Sequence, residues 1–166
     1  MKKLAICLFI SVLFANNLSF AKAVGGESGL PTPRFVSLKS SEVNLRSGPG
    51  VRYPVEWVYL EKRLPVEIIT EFNNWRRIRD WDGDEGWVHK SLISGKRGLV
   101  AKQETKLLYK ESLTSKALAK IEKGVFGELI ECDKTSELCK AKFSNLEGYI
   151  KKSAIWGVYK GEEVSN

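Results

Sequence analysis

The chain has 166 residues, with 27 Lys and Arg against 20 Asp and Glu, three Cys and one His. This length allows one ordinary domain or two very small ones, and it leaves little room for an enzyme with separate substrate and cofactor domains. A composition of 43% hydrophobic and 28% charged residues is globular, which excludes a wholly disordered chain. The formal charge of +7 favours anionic partners, and a single His excludes most histidine metal sites.

The first 23 residues have the three-part layout of a secretory signal peptide. A short basic start precedes an apolar run over 4–15 and small residues at Ala21 and Ala23. The apolar run is too short to span about 30 Å of hydrocarbon, so we expect cleavage rather than a retained membrane anchor. We place the cleavage after Ala23, with Ala21 as the alternative. The mature protein is then periplasmic or secreted and has no integral membrane segment.

Export changes the expected partners. Loss of Lys2, Lys3 and Lys22 lowers the formal charge from +7 to +4. An exported protein rarely meets nucleic acid, so we expect no nucleic-acid partner. The remaining surplus is uneven, because residues 35–95 hold nine basic and nine acidic residues whereas 98–160 hold twelve Lys and eight acidic residues. The positive charge therefore lies mainly in the second half of the chain.

Short strands are predicted from residue 35 onward. Residues 24–34 are rich in Gly, Pro and Ser, which is typical of a flexible leader. Runs rich in β-branched and aromatic residues then predict strands over 35–38, 43–45, 55–60, 64–72, 75–80, 85–89 and 92–93. Asn73-Asn74 predicts a hairpin turn, 82–84 predicts a second turn, and the Gly-Pro-Gly sequence within 46–50 predicts a loop.

The second half of the chain repeats this outline at an offset of about 62 residues. The run EGWVHKSLI at 85–93 aligns with EGYIKKSAI at 147–155, and 64–69 aligns with 125–130. Two matches at nearly the same offset predict a duplicated unit.

The duplicated unit sets the predicted fold class. About 60 residues bury too little surface to be stable as an open sheet, and closure into a small barrel removes most sheet edges. We therefore predict an all-β protein with two tandem SH3-like β-barrels after the cleaved signal peptide. The first covers 35–95, the second and more divergent one covers 98–160, and a tail follows at 161–166.

The barrel type comes from a resemblance in the first unit. The sequences NLRSGPG at 44–50 and EGWV at 85–88 resemble a bacterial SH3-like (SH3b) domain. The longer run over 75–95 is similar to exported tandem SH3-like proteins of the alphaproteobacterial type. The resemblance is strong over 35–95 and weak over 98–160. It implies a small β-barrel, an exported location, no known catalytic activity, and binding of cell-wall peptides or of other proteins.

The second unit departs from this pattern where the first carries aromatic rings. Leu138 takes the place of Trp75, and Tyr149 takes the place of Trp87. A ligand property of the first unit is therefore not transferred to the second.

Aromatic and arginine side chains of the first unit are the binding candidates. A small barrel cannot bury four Trp fully, partly exposed rings can hold a peptide or sugar, and Arg suits carboxylates. The candidate ligand-binding residues are Arg46, Tyr53, Trp57, Trp75, Arg77, Arg79, Trp81 and Trp87. Two alternatives stay open: Trp75 and Trp87 pack in the core, and the arginines pair with the acidic residues within 80–85.

Cys132 and Cys139 are the two cysteines that remain after export. They flank an expanded hairpin turn on facing strands, which predicts a disulfide in an oxidising compartment. The single histidine, His89, lies in the other unit, so no Cys–His nucleophile pair is predicted. The acidic turn at 80–84 lacks the Glu that a Ca²⁺ loop of the EF-hand type requires. We expect no catalytic residues, no cofactor and no metal.

The sequence leaves two partner classes open. Cell-wall peptide or peptidoglycan fits an aromatic and Arg-lined groove of the first unit. The alternative is a protein–protein interaction scaffold for an envelope enzyme or transporter. Nothing in the sequence indicates the oligomeric state.

Overall fold

A computed structural model describes residues 26–165 of the chain. The predicted signal peptide, with its alternative cleavage sites at Ala21 and Ala23, lies outside the described residues. The described part consists of fifteen strands in two sheets, joined by loops and two single-turn 3₁₀-helices. The all-β prediction is confirmed.

Seven antiparallel strands form the first sheet. They are β1 (Arg34–Leu38), β2 (Val43–Arg46), β3 (Val55–Tyr59), β4 (Pro65–Phe72), β5 (Trp75–Arg79), β6 (Glu85–His89) and β7 (Ile93–Ser94), with a 3₁₀-turn at Lys90–Leu92. Across the sheet their order is β3-β2-β6-β5-β4-β1-β7. Each of the strands predicted from the sequence appears here within one or two residues of its expected ends.

Eight strands form the second sheet. They are β8 (Gly98–Ala101), β9 (Thr105–Leu108), β10 (Ala117–Ile121), β11 (Phe126–Cys132), β12 (Leu138–Phe143), β13 (Leu146–Lys151), β14 (Ile155–Trp156) and β15 (Val164–Ser165), with a 3₁₀-turn at Lys152–Ala154. The order β10-β9-β13-β12-β11-β8-β14 matches the first sheet strand for strand. β15 pairs with β11 and buries Val164, so the segment expected as a tail adds a strand to this sheet.

Each sheet curls around its own apolar core. The first core includes Val36, Leu38, Val43, Leu45, Val66, Ile68, Ile78 and Val88. The second includes Leu99, Leu107, Leu129, Ala141, Phe143, Ile150 and Ile155. Successive side chains of a strand point to opposite faces, so the residues between these core positions face outward. That alternation decides which candidate residues are available to a ligand.

The expected flexible leader is held against the first sheet by a buried carboxylate. Glu71, whose side chain is fully buried, accepts hydrogen bonds from the backbone N–H and hydroxyl of Ser28, both at 2.8 Å. It also pairs with Arg34 at 2.5 Å and Arg76 at 3.1 Å. Burial by itself raises the pKa of Glu71, but the bonds from Arg34 and Ser28 outweigh it and lower the pKa to about 2. The chain from Ser28 onward therefore belongs to the fold.

Cys132 and Cys139 form the predicted disulfide, at the matching place in the second sheet. They are direct cross-strand partners on β11 and β12, with their Cα atoms 4.4 Å apart. Glu71 and Arg76 are the corresponding cross-strand partners on β4 and β5. A covalent bond in one sheet thus stands where the other has an ion pair.

The two sheets meet through aromatic rings and a partly buried hydrogen bond. The ring of Phe35 lies 4.7 Å from that of Trp156 and 4.6 Å from that of Tyr159. The Tyr159 hydroxyl donates to Glu67 of β4 at 2.5 Å, and burial together with this carboxylate raises the pKa of Tyr159. These contacts fix one sheet against the other.

Candidate functional site

The outer face of β2, β6 and β5 gathers five of the eight candidate residues. They are Arg46, Trp75, Arg77, Arg79 and Trp87, and we call this surface the arginine–tryptophan face. Trp87 is the cross-strand partner of Arg46 on one side and of Arg77 on the other. Directly opposed residues of an antiparallel pair share a face, with Cβ atoms roughly 5 Å apart. The sheet register therefore places one indole between two guanidinium groups.

The two Trp rings of this face lie outside the buried core. Trp75 and Trp87 are both half-buried, and neither belongs to the core cluster. Trp75 meets the ring of His89 edge-on, with centroids 5.5 Å apart. The sequence alternative that these rings fill the core therefore does not describe their position, although each is partly covered by its neighbours.

The arginines of this face are engaged within the fold. Arg77 pairs with Glu85 at 3.0 Å. Arg79 donates twice to Glu67, which raises the pKa of Arg79, and its guanidinium lies 3.9 Å from Glu85. The sequence alternative that the arginines pair with acidic residues within 80–85 is correct for Glu85. The second partner, Glu67, lies outside that range. A ligand carboxylate would have to share these groups.

Arg46 and Tyr53 shape the loop that follows β2. The Arg46 guanidinium donates to the carbonyl oxygens of Val51 at 3.2 Å and Tyr53 at 2.8 Å. The Tyr53 ring lies over Gly48 so closely that a Cβ there would come within 2.4 Å of it. The Gly in this loop is therefore required for close approach of the ring, and Arg46 acts as a brace.

β3 is an edge strand with an exposed apolar surface. The residues Val51, Val55, Trp57, Val58 and Leu60, here called the β3 apolar edge, are all at least 40% exposed. Trp57 is 60% exposed, which is unusual for so large a ring. An edge strand also leaves backbone N–H and C=O groups unpaired on its outer side. This surface can therefore offer an extended peptide both hydrogen bonds and apolar contact.

Sequence reasoning found Trp57 but missed its apolar neighbours. Their signal was present, because the run from Val55 to Leu60 contains one charged residue where a half-buried strand would alternate apolar and polar positions. The sequence alone does not predict that the non-polar side chains of this run are exposed. Their exposure follows from the strand order, which places β3 at the end of the sheet.

Trp81 lies in a cleft between the two sheets. This cleft, of about 450 Å³, is also lined by Trp156, Tyr159 and Lys102. A Cβ added to Gly124 of the second sheet would lie 3.8 Å from the Trp81 ring. Arg79 lines the same cleft, so Trp81 shares it with one residue of the arginine–tryptophan face and not with the other four.

The acidic turn before β6 is organised by Asp80. Its buried carboxylate accepts backbone N–H groups from Asp82, Gly83 and Asp84 at 2.9–3.0 Å. Its other oxygen accepts the Tyr59 hydroxyl at 2.9 Å, and burial together with Asp80 raises the pKa of Tyr59. Asp80 thus serves the turn. Within residues 26–165, no group of three or more His, Cys, Asp or Glu is placed to hold a metal ion.

The described chain contains no helix whose length and apolar character would let it cross a bilayer. Its one histidine, His89, accepts the backbone N–H of Ser91 and so caps the 3₁₀-turn after β6. The Cys132 and Cys139 thiols are consumed in their disulfide. Among residues 26–165 no Cys thiol is therefore free to pair with His89, whose Nδ1 atom lies 2.7 Å from the hydroxyl oxygen of Ser91.

Comparison with known proteins finds a family match within the first sheet. Residues 39–95 match the family model described as "Bacterial SH3 domain". A stretch of 92 residues is 33% identical to the "Putative N-acetylmuramoyl-L-alanine amidase YrvJ" of Bacillus subtilis (strain 168). The match covers 55% of this chain and 16% of that protein, so the chain spans less than one fifth of its relative.

Two solved structures from Trichomonas vaginalis also show a likeness. They are "Structure of NlpC2", 13% identical over 75% of this chain and 48% of its own, and "Structure of NlpC1", 14% identical over 83% and 50%. Both TM-scores are 0.34, which is too low to support an argument about fold or activity.

Proposed function

We propose that this chain, whose residues 39–95 match the bacterial SH3 domain model, is an exported, non-catalytic binding module of the cell envelope. In this proposal the first sheet holds cell-wall peptide or peptidoglycan, and the chain acts in the periplasm or outside the cell. The two sheets are tandem copies of one domain, at 35–95 and 98–160, and the second is the divergent copy.

The observation that carries the proposal is the β3 apolar edge beside the arginine–tryptophan face. Arg46 is the cross-strand partner of both Val55 and Trp87, so β2 joins the two surfaces. An extended peptide can add a strand to β3 and lay an apolar group on Trp57. Arg46 uses two of its five N–H donors on backbone carbonyls, so the others remain for a peptide carboxylate.

The curated relative supports the cell wall as the partner. Its printed name is that of an amidase acting on N-acetylmuramoyl-L-alanine, and the shared stretch is a small part of it. A module shared with such a protein is well suited to bringing a chain to the wall. The same stretch does not by itself imply amidase activity here.

Co-sedimentation with purified peptidoglycan tests this function. We expect the mature protein to pellet with peptidoglycan, and Trp57→Ala to reduce the pelleted fraction at least fivefold. Because Trp57 is largely exposed, the substitution should leave stability within about 0.5 kcal/mol. Tyr109→Ala is the matched control, since Tyr109 is a 53% exposed aromatic residue of the second sheet. A wild-type protein that stays in the supernatant contradicts the proposal.

The non-catalytic part has its own test. Peptidoglycan incubated with the protein should release no soluble fragments. Release that disappears in His89→Ala would show that the chain is an enzyme.

A second candidate function is a scaffold for an envelope enzyme or transporter. The β3 apolar edge favours it, because exposed apolar surface also marks protein interfaces. Cross-linking in envelope extracts separates the two. A partner captured by the wild type and by Tyr109→Ala but not by Trp57→Ala, without peptidoglycan binding, selects the scaffold.

A further inference from the structure

The second sheet carries a cleft lined by lysines, beside the disulfide hairpin. Its volume is about 660 Å³, and five lysines line it: Lys102, Lys134, Lys151, Lys152 and Lys160. We call it the lysine cleft. The sequence pattern showed that the positive surplus lies in this half of the chain, and the fold concentrates part of that surplus in one concavity.

Little negative charge offsets these lysines. Glu137 is the one acidic side chain that lines the cleft. Among residues 26–165, Lys102, Lys134, Lys151 and Lys160 take part in no ion pair. The ion pairs that lysines form in this sheet join Lys120 to Glu104 and Lys140 to Glu147. Like charges gathered in a concave site raise the local concentration of anions.

The neighbouring acid, Asp133, is turned onto its own hairpin. Its carboxylate accepts the hydroxyl and backbone N–H of Thr135 and the backbone N–H of Ser136, and these bonds lower the pKa of Asp133. Lys152 donates to the carbonyl oxygen of Asp133 at 2.6 Å. The hairpin thus positions one lysine and leaves the others facing the cleft.

The disulfide gives this wall of the cleft a fixed shape. Cys132 and Cys139 close the hairpin that supplies Lys134 and Glu137 to the lining. A short loop closed by a covalent bond has few conformations to lose when a ligand binds. The site is therefore preorganised on this side.

The residue types suit an anion that carries phosphate groups. The cleft lining has five Lys and no Arg, whereas the first sheet presents Arg on its outer face. The planar Arg fork matches both carboxylate and phosphate, while the Lys ammonium is a compact point charge that commonly binds phosphate oxygens. The hydroxyl of Ser153 adds a neutral donor at the lining.

We propose that the lysine cleft is a second binding site, for an anion that carries two or more phosphate groups. It shares no residue with the β3 apolar edge or the arginine–tryptophan face. The test of this site is therefore independent of the test of peptidoglycan binding. The same chemistry is found in soluble oligophosphates and in phospholipid headgroups, and the test below distinguishes them.

Titration calorimetry with inorganic pyrophosphate at constant ionic strength tests the site. The double variant Lys102→Gln/Lys151→Gln should weaken binding about 25-fold, since one charge at about 4 Å in water changes affinity about fivefold. The control is Lys106→Gln/Lys123→Gln, which removes two exposed lysines of the same sheet outside the cleft. It should change affinity less than twofold.

Three outcomes would overturn the proposal. The first is an equal loss in the control variant, which means that only overall charge matters. The second is equal affinity for tricarballylate, a tricarboxylate whose charge at neutral pH is close to that of pyrophosphate. The third is absence of cleft-dependent binding both to pyrophosphate and to phosphatidylglycerol vesicles. Cleft-dependent binding to vesicles alone supports the site and assigns it to a lipid headgroup.

Discussion

The two sheets share one strand order but fix the same hairpin in different ways. In the first, Glu71 and Arg76 face each other across β4 and β5, and the carboxylate also holds Ser28 and Arg34. In the second, the matching pair is a disulfide, and β15 lies against Cys132. A buried ion pair needs further hydrogen bonds to offset the desolvation of its charges, and residues of the leader supply them here. A disulfide carries no charge and needs no such partners.

The residues at the proposed site diverge as well. Trp57, the exposed partner of the core residue Leu45, becomes Ala119, the partner of the core residue Leu107. Arg77 opposite Trp87 becomes Lys140 opposite Tyr149. The fold therefore preserves the positions while the second sheet loses the rings and guanidinium groups that the proposed peptide site requires.

The largest effect is expected from the Glu71 cluster. Glu71→Gln removes a buried charge and leaves Arg34 and Arg76 without it, which should lower the free energy of unfolding by about 3 kcal/mol. Urea denaturation measures this change. Glu147→Gln is the control in the second sheet, because its pair with Lys140 is exposed to solvent and should contribute little to the free energy of unfolding. Equal losses in the two variants would contradict a special role for burial.

The same cluster predicts how stability depends on pH. The folded pKa of Glu71, about 2, lies below the roughly 4.3 of an unfolded Glu. The unfolded chain therefore binds the proton more readily, and the stabilisation is complete above about pH 5 and is lost as the pH falls towards 2. Unfolding of wild type and Glu71→Gln, compared from pH 6 to pH 2, should show their stabilities converging. A constant difference across that range would refute the assignment.

The disulfide sets the next effect, and it confines redox sensitivity to the second sheet. Cys132→Ser/Cys139→Ser should lower the free energy of unfolding by roughly 2–3 kcal/mol, from the entropy of the short loop that the bond closes. Denaturation with and without a reducing agent measures it. The reductant should shift the wild type to the stability of the double variant and should leave the variant unchanged.

A smaller effect is expected at Tyr59, whose counterpart in the second sheet is Ile121. The hydroxyl of Tyr59 holds Asp80 at the acidic turn, and the shorter turn between β12 and β13 has no such need. Tyr59→Phe should lower the free energy of unfolding by about 1 kcal/mol, measured by urea denaturation. Tyr109→Phe is the control, because the Tyr109 ring is exposed and its substitution should leave the free energy of unfolding unchanged. A neutral Tyr59→Phe would mean that the turn is held by its backbone bonds alone.

Local sequence signals predicted most of the strands and one covalent link. β6 begins and ends at the predicted residues 85 and 89, and the Asn73-Asn74 turn joins β4 to β5 with Asn73 in the left-handed region (φ 50°). These features depend on neighbours in the chain, where the alternation of strands and the chemistry of turns operate. The Cys132–Cys139 pairing followed from the same local reasoning.

The site was harder to predict because it depends on residues that are distant in the chain. Trp81 follows β5 after one residue, yet it lies in the cleft between the two sheets, which Trp156 and Tyr159 of the second half also line. Likewise, Glu71 holds Ser28, which is 43 residues away, so the leader could not be placed from its own composition. Such contacts follow from strand order and from how two sheets pack, which local patterns do not specify.

The ring contacts of Phe35 with Trp156 and Tyr159 have a consequence for avidity. They hold the two sheets together, so the β3 apolar edge and the lysine cleft are presented at a constant spacing rather than on a flexible tether. A polymer that carries both peptide and phosphate groups would engage both surfaces only if its own repeat matches that spacing. The second contact would then be intramolecular, and its high effective concentration would let two weak sites together bind such a polymer tightly and selectively.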